Sequence, residues 1–190
     1  MLYYRFSKAS DITKINIENT LDLLSNEQKK YIASLSDKKR VQSICVRSLL
    51  YILLDEFFTS TIISSLYQTP YGKPMLDDTN LYVSFTHSEE YVGCALSDRP
   101  VGIDIECVRD IKPSVISRIC SEEEIEYIKF HSSADFFTLW TLKEAYIKAS
   151  NKQHLKMREL SFVSNNNFSV ASDFFITDEI DGYKWSLIKL

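Results

Sequence analysis

Residues that break or loosen a chain are scarce in this sequence, and long hydrophobic runs are missing. It contains four glycines and four prolines among 190 residues, and no linker or low-complexity stretch separates its two halves. The most apolar run, SICVRSLLYILLDEFF, is interrupted by Arg47, Asp55 and Glu56 and is far shorter than a membrane span. The N-terminus, MLYYRFSKASD, lacks the continuous apolar core of a signal peptide. We therefore expect a cytoplasmic protein with no membrane segment.

Paired cysteines and an excess of basic charge are also missing. The four cysteines (Cys45, Cys94, Cys107 and Cys120) form no CxxC pair, and no histidine lies at metal-ligand spacing from them. This pattern indicates buried free thiols in a reducing compartment. The formal net charge of -4 argues against a surface built for nucleic acid. Hydrophobic residues make up 45% of the chain, which is typical of a globular protein.

Hydrophobic periodicity predicts helices and strands in both halves. The first half is predicted to contain a strand LYYRF, two short helices between about residues 14 and 35, a long helix DKKRVQSICVRSLLYILLDEF capped by Asp37, a YGKP loop, and the strands LYVSFTH, YVGCAL and VGIDIE. The second half is predicted to contain a capping box SEEE, a helix DFFTLWTLKEAYIKA, and the strands LSFV, FSVAS, DFFIT and YKWSLIKL, with NNN and DEIDG as turns. This is an α+β pattern, and it is compatible with two related lobes.

Two acids stand in the strand-like segment VGIDIE, residues 101–106. Successive side chains of a strand point to opposite faces, so Asp104 and Glu106 share one face while Ile103 and Ile105 share the other. Either the acids face solvent on an edge strand, or they hold a divalent cation such as Mg²⁺. The apolar second face, and a preceding hairpin turn that would place the segment inside a sheet, count against solvent exposure. From these residues alone both interpretations stay open.

A second motif, WTLKEAYIK at residues 140–148, bears on the same question. Glu144 and Lys148 are four residues apart on a predicted helix, which is the spacing of an ordinary surface ion pair. Alternatively, Glu144 supplies a third carboxylate to Asp104 and Glu106, and Lys148 holds positive charge beside metal-bound phosphates. Each motif alone is weak, but their combination in this order is much more specific.

The two motifs together resemble those of the 4'-phosphopantetheinyl transferases of the surfactin-synthetase-activating (Sfp) type. GIDIE matches the family pattern G-[IV]-D-x-E, and WTLKEAYIK matches W-[ST]-x-K-E-[AS]-x-x-K. YGKP and SFTHSEE are similar to two upstream segments of the family. The chain departs from the family at Ser84, where Asn is usual, at Glu89, where Gly is common, and at NKQHL, where G-x-G-L is frequent.

The resemblance implies an α+β fold of two similar lobes that form a pseudo-dimer within one chain. Each lobe would pack an antiparallel sheet on a long helix, with CoA in the cleft between them. The implied division is residues 1–100 for the N-terminal lobe and 101–190 for the C-terminal lobe, which would carry most of the metal site. A monomer is the implied oligomeric state.

The resemblance also implies a reaction and its residues. A serine hydroxyl of an acyl or peptidyl carrier protein would attack the β-phosphate of CoA, and 3',5'-ADP would leave. Asp104, Glu106 and Glu144 would hold Mg²⁺, while Glu144 and Lys148 would be catalytic. The proton of the serine would go to Glu144 or to a water on the metal, and the sequence does not decide between them.

The CoA-binding residues implied by the resemblance come from several segments. His87 and Lys73 would hold the 3'-phosphate and adenine end, Thr86 would stand in the place of the family's serine, and Lys148 would contact the pyrophosphate. A basic residue on the first long helix is also expected, and three residues compete for that role: Lys38, Arg40 and Arg47.

Two other functions remain to be weighed. A catalytically inactive relative could bind CoA or a carrier protein without transfer. A metal-dependent nuclease also uses paired acids and a lysine, but there the last acid and the lysine are usually two apart on a strand, whereas Glu144 and Lys148 are four apart on a predicted helix. The acidic chain also disfavours a nuclease.

Overall fold

The computed structural model describes residues 1–152 and 154–190, apart from the side chain of Ser133. Its contacts divide the chain into two compact units, Met1–Val101 and Gly102–Leu190, which we call the N-terminal and the C-terminal unit. Each unit has a hydrophobic core of its own. Of the predicted fold, the α+β class with antiparallel strands is confirmed, while the similarity of the two lobes and a CoA cleft stay predictions.

The N-terminal unit combines a three-stranded antiparallel sheet with helices. Its strands are β1 (Leu2–Lys8), β2 (Leu66–Gln68), β3 (Pro74–Leu76), β4 (Tyr82–Ser88) and β5 (Tyr91–Ser97). The sheet has the order β1-β5-β4, and β2 and β3 form a separate hairpin around the predicted YGKP loop. The helices are α1 (Lys14–Leu23), α2 (Asn26–Ser34) and α3 (Asp37–Phe57), with 3₁₀ turns at Ala9–Asp11 and Ser60–Ser65.

The long helix α3 supplies much of the core of this unit. Its residues Leu49, Leu50 and Leu54 are buried and belong to the same cluster as Val92 of β5. The predicted helix is confirmed, but the cap is not at Asp37, because Ser36 occupies the N-cap position and Asp37 is the first helical residue. An acid in the first turn still interacts favourably with the helix dipole.

The C-terminal unit packs a three-stranded sheet against a long helix. Its strands are β6 (Val101–Cys107), β7 (Val163–Ser164), β8 (Asn167–Phe168), β9 (Phe174–Ile180) and β10 (Tyr183–Lys189), and its helices are α4 (Pro113–Ile119), α5 (Glu122–Phe130) and α6 (Ser133–Ser150), with a 3₁₀ turn at Met157–Glu159. The sheet order is β6-β10-β9, and α6 lies against β10. Asp181 and Gly182 both have positive φ, which is the geometry of a tight hairpin turn between β9 and β10.

Local signals located most of these elements, with several corrections. Of the predicted strand LSFV, only Val163 lies in a strand. FSVAS is not a full strand: β8 ends at Phe168, Ser169 adds one backbone hydrogen bond to the carbonyl oxygen of Phe162, and the next strand begins at Phe174. The predicted DEIDG turn is confined to Asp181 and Gly182, since β9 continues to Ile180. The short helix α4, which begins with Pro113, and the hairpin of β2 and β3 were not predicted.

The position of VGIDIE also differs from the prediction. Within the described part of the chain, β6 lies at the edge of its sheet with β10 as its neighbour, and does not form a hairpin with β5. The SDRP turn therefore connects two different sheets. The apolar side chains of Val101, Ile103 and Ile105 point to one face of β6 and are buried, although β6 is an edge strand.

Two further sequence predictions concern thiols and membranes. All four cysteines are free, as predicted, and three of them are buried, but Cys107 is partly exposed. Among the residues described by the structure, no helix combines the length and the apolar composition needed to cross a bilayer.

Candidate active site

The two sequence motifs come together where β6 faces α6. Asp104 is only 6% exposed, and its neighbours Ile103 and Ile105 on the opposite face of the strand are buried at 0% and 1%. The strand is therefore covered on both faces. β6 is an edge strand, but the interpretation of Asp104 as a solvent-facing acid is wrong, because α6 covers that face.

Lys148 of α6 makes the direct link to this strand. Its Nζ donates to Oδ1 of Asp104 at 2.7 Å and to the carbonyl oxygen of Ile103 at 3.0 Å. The side chain of Lys148 is partly exposed, whereas that of Asp104 is almost fully buried. Lys148 therefore forms an ion pair between α6 and β6, and not only the contact within one helix that its spacing from Glu144 suggested.

Glu144 lies one turn before Lys148 on the same helix and is half-buried. Its pKa is raised, first by burial and then by the negative charge of Asp104 and of Glu106, while Lys148 acts in the opposite direction. The negative charges of Asp104 and Glu106 therefore both act on the carboxyl group of Glu144. Such a concentration of negative charge favours a bound cation.

Glu106 is partly exposed, with 22% of its side chain accessible. It lies 3.4 Å from the guanidinium of Arg109, which in turn is positioned over the ring of Phe137. Within residues 1–152 and 154–190, no three His, Cys, Asp or Glu side chains are gathered closely enough to form a ready-made metal site. The donor set still fits Mg²⁺ in kind, since this ion prefers carboxylate oxygens. The assignment of Asp104, Glu106 and Glu144 as ligands stays a prediction.

Lys143, the residue before Glu144, forms a buried ion pair that was not predicted from the sequence. Lys143 is 0% exposed, and its Nζ donates to the carbonyl oxygens of Ile119, Met157 and Leu160 at 2.9, 2.8 and 2.7 Å. It also lies 2.6 Å from the carboxylate of Glu124, which is equally buried. The signal for Lys143 in the sequence is a charged residue within the largely apolar segment LWTLKEA.

Glu124 completes this buried network from α5. Its carboxylate accepts hydrogen bonds from the backbone N–H groups of Ser121 and Phe162, at 2.8 and 2.9 Å. The predicted capping box of SEEE is confirmed, since the hydroxyl of Ser121 also accepts from the backbone of Glu124. Because Glu124 is fully enclosed, it orders the unit and does not reach a substrate.

Three of the predicted CoA-binding residues lie on or beside the strands β2, β3 and β4 of the N-terminal unit. Thr86 and His87 are neighbours on β4, and Thr86 is buried whereas His87 is exposed. Lys73 lies in the turn between β2 and β3, where its backbone is bonded to Thr69, and burial lowers the pKa of its ammonium. Ser84, a departure from the family, is buried. Their roles in CoA binding stay predictions.

The basic residues of α3 divide into two groups. Arg47 is only 1% exposed, and its guanidinium donates to Gln28 and to Ser43. Burial lowers the pKa of Arg47 to about 10, so it remains protonated at neutral pH inside a shell of neutral partners. Its enclosure argues against direct contact with a cofactor.

Lys38 and Arg40 are accessible basic residues at the start of α3, as is Lys39 between them. Lys38 pairs with Glu89 at 3.1 Å, and Arg40 pairs with Asp37 at 3.3 Å and donates to the carbonyl oxygen of Leu35. Glu89 has φ of 45°, a conformation that favours glycine and that explains why Gly is suited to this position. Here the side chain of Glu89 instead brings an acid to Lys38.

Comparison with known proteins bears on the part of this site that lies in β6 and α6. Residues 100–188 match the family model of the 4'-phosphopantetheinyl transferase superfamily. The chain is 43% identical to the 4'-phosphopantetheinyl transferase gsp of Aneurinibacillus migulanus over 88 residues, which are 43% of this chain and 36% of that protein. It is 30% identical to Sfp of Bacillus subtilis strain 168 over 115 residues, covering 53% of this chain and 51% of Sfp.

A third relative is also a 4'-phosphopantetheinyl transferase. The transferase psf-1 of Bacillus pumilus is 32% identical over 115 residues, which are 53% of this chain and 49% of psf-1. The chain spans about half or less of the length of these curated relatives. Both GIDIE and WTLKEAYIK fall inside the matched residues 100–188, so the resemblance read from these two motifs is confirmed.

The departure NKQHL follows α6 directly. It includes Gln153, which lies outside the described residues. The effect of this departure on partner preference therefore stays a prediction.

Proposed function

We propose that this chain, whose residues 100–188 belong to the 4'-phosphopantetheinyl transferase superfamily, transfers the 4'-phosphopantetheine arm of CoA to a serine of an acyl or peptidyl carrier protein. The other product is 3',5'-ADP. The observation that carries the proposal is the 2.7 Å contact between Lys148 and Asp104, which joins the two family motifs at one place beside Glu144. The protein would act in the cytoplasm as a monomer.

In this proposal, Asp104, Glu106 and Glu144 hold Mg²⁺. When bound, the ion supplies positive charge that stabilises the diphosphate of CoA as the bond to the leaving phosphate breaks. The pKa of Glu144 is raised first by burial and then by the negative charges of Asp104 and Glu106, and a cation bound to these carboxylates would offset the contribution of those charges. The partly exposed Glu106 would take part once the side chain turns away from Arg109.

Lys148 would bind the diphosphate from the other side. Its ammonium is held near the site by Asp104 and by the carbonyl of Ile103, yet the side chain is 30% exposed. It can therefore donate a hydrogen bond to an incoming phosphate oxygen without leaving the site. A preformed cation of this kind stabilises charge that develops on the leaving oxygen.

Glu144 would accept the proton of the attacking serine. The serine oxygen forms a bond to the β-phosphorus of CoA, the bond from that phosphorus to the oxygen of the 3',5'-ADP group breaks, and the proton moves to the carboxylate. Without the metal, burial and then the charge of Asp104 raise the pKa of Glu144. The proposed role of Glu144 as proton acceptor depends on its position one turn before Lys148 and not on that pKa. A water molecule could carry the proton to the same group.

The remainder of CoA would be held by residues of the N-terminal unit. Lys73 and His87 are assigned to the 3'-phosphate and adenine end, with Thr86 beside them. Lys38 or Arg40 supplies the further basic contact, since both are accessible, and Arg47 is left out because it is buried.

A panel of apo carrier proteins tests the proposal. Each carrier is incubated with the protein, CoA and Mg²⁺, and its intact mass is measured. At least one carrier should gain the mass of a single phosphopantetheine group, and EDTA should prevent the gain. If no carrier gains mass while CoA binds equally well with and without Mg²⁺, the chain is instead a binding relative without transferase activity.

A further inference from the structure

Gly102 lies against the backbone of α6 with no room for a side chain. A Cβ atom at this position would overlap the carbonyl oxygen of Ala145 and would lie 2.7 Å from the nitrogen of Ala149. Real Cβ atoms essentially never come within 3.0 Å of such atoms. The obstacle is the helix backbone, so no rotation of a side chain can relieve it.

The part of α6 that meets Gly102 is the turn that carries Lys148. In an α-helix the carbonyl of Ala145 accepts the hydrogen bond from the N–H of Ala149. An added Cβ would therefore press on a helical hydrogen bond in that turn. Glu144 is the residue immediately before it, and Ala145 and Ala149 are themselves buried.

The same face of β6 carries the acids. Side chains alternate along a strand, so residues 102, 104 and 106 share one face. Because position 102 has no side chain, α6 can approach that face closely. Two contacts cross this junction, the 2.7 Å contact from Lys148 to Asp104 and the 3.0 Å contact from Lys148 to the carbonyl of Ile103.

We propose that Gly102 is a positioning residue, which sets the distance between β6 and α6 at which Lys148 reaches Asp104. The catalytic consequence rests on the proposed function, whereas the distance itself is a property of the fold. Any side chain at position 102 pushes the two backbones apart. The contact between Lys148 and Asp104 then opens, and Glu144 moves away from the strand with it.

A double-mutant cycle measures this contact without CoA or a carrier. Asp104→Asn and Lys148→Met are made singly and together, and the free energy of unfolding is measured in urea for each. The cycle is repeated in a Gly102→Ala background and in a Val163→Ala background. Val163 is buried in the core of the same unit, so its truncation lowers stability while leaving the junction of β6 and α6 intact.

The interaction energy between Asp104 and Lys148 should be present in the original protein and in the Val163→Ala background, and should vanish in the Gly102→Ala background. If the interaction energy between Asp104 and Lys148 persists in the Gly102→Ala background, the proposal is overturned. If Gly102→Ala yields no folded protein, Ala149→Val, which crowds the same turn from the helix side, replaces it in the cycle with the same expected loss.

Transfer kinetics give a second measurement. Misplacement of catalytic groups by about 1 Å can cost on the order of 10²-fold in rate, so kcat should fall by about that factor in Gly102→Ala and stay close to its original value in Val163→Ala. An unchanged kcat in Gly102→Ala overturns the positioning role while leaving the transferase proposal intact. Absence of transfer by the original protein overturns the proposed function, whereas the stability cycle still decides the role of Gly102.

Discussion

Lys143 and Glu124 form an ion pair in which both side chains are completely buried, with 2.6 Å between the ammonium and the carboxylate. The ammonium also binds three backbone carbonyls, which belong to the end of α4 and to residues 157 and 160. Burying two charges is costly, and a well-packed apolar pair of similar size often stabilises a fold at least as well. What the lysine adds is a fixed orientation of α6 relative to these segments, immediately beside Glu144.

Removing one partner of this pair should be severely destabilising. Lys143→Met leaves the carboxylate of Glu124 buried without its counter-charge, and we expect a loss of about 3–5 kcal/mol in the free energy of unfolding. The double variant Lys143→Met with Glu124→Gln should recover much of that loss. Urea unfolding measures both. Lys129→Met, which removes an exposed pair with Glu126, is the control and should change stability little.

Asp104 should be indispensable for transfer but not for folding. Asp104→Asn keeps the size of the side chain and removes the charge that faces Lys148 and the proposed cation. We expect loss of carrier modification, measured by intact mass, with an unchanged circular dichroism spectrum. Glu126→Gln, an exposed acid on α5, should modify carriers normally. Near-normal turnover by Asp104→Asn would remove the basis for the metal assignment.

Glu144→Gln should raise the stability of the metal-free protein and abolish transfer. The pKa of Glu144 is raised by burial and by Asp104, so the folded state disfavours the ionised carboxylate. In the absence of divalent metal, the variant should therefore be more stable than the original protein at pH 7. This gain should shrink as the pH falls toward the range where the original carboxyl group is protonated, because the cost of ionisation then disappears.

Two measurements check the variant. Urea unfolding in EDTA at pH 7 and pH 4 should show the gain at the higher pH alone, and intact-mass assays with Mg²⁺ should show no transfer. A variant that is less stable at pH 7 would contradict the repulsion among the carboxylates. Lys14→Gln, at an exposed position on α1, is the matched control for loss of one charge.

The thiols should differ sharply in reactivity. Burial raises the pKa of Cys120 to about 12 and that of Cys94 further still, so almost no thiolate is present at pH 8. Cys107 is partly exposed and should react first with iodoacetamide. Peptide mass mapping over time gives the order. Alkylation of Cys94 in the folded protein at the rate of Cys107 would contradict the burial described here.

Several parts of the site could be predicted because they depend on short stretches of chain. The capping box at Ser121 and Glu124 needs only contacts across three residues, and the shared face of Asp104 and Glu106 needs only the alternation of a strand. The spacing of Glu144 and Lys148 on a helix is equally local. Patterns of this kind do not depend on which element packs against which.

The amino-acid sequence by itself determined the α+β class, the extent of the long helices, and the two motifs that resemble those of the 4'-phosphopantetheinyl transferases. Tertiary structure alone decided that Lys148 pairs with Asp104, that Lys143 and Arg47 are enclosed, and that Gly102 touches the backbone of α6. The physical reason is that local hydrogen bonding and periodicity act over a few residues. Burial and the choice of a charged partner depend instead on packing between elements that are up to 44 residues apart along the chain.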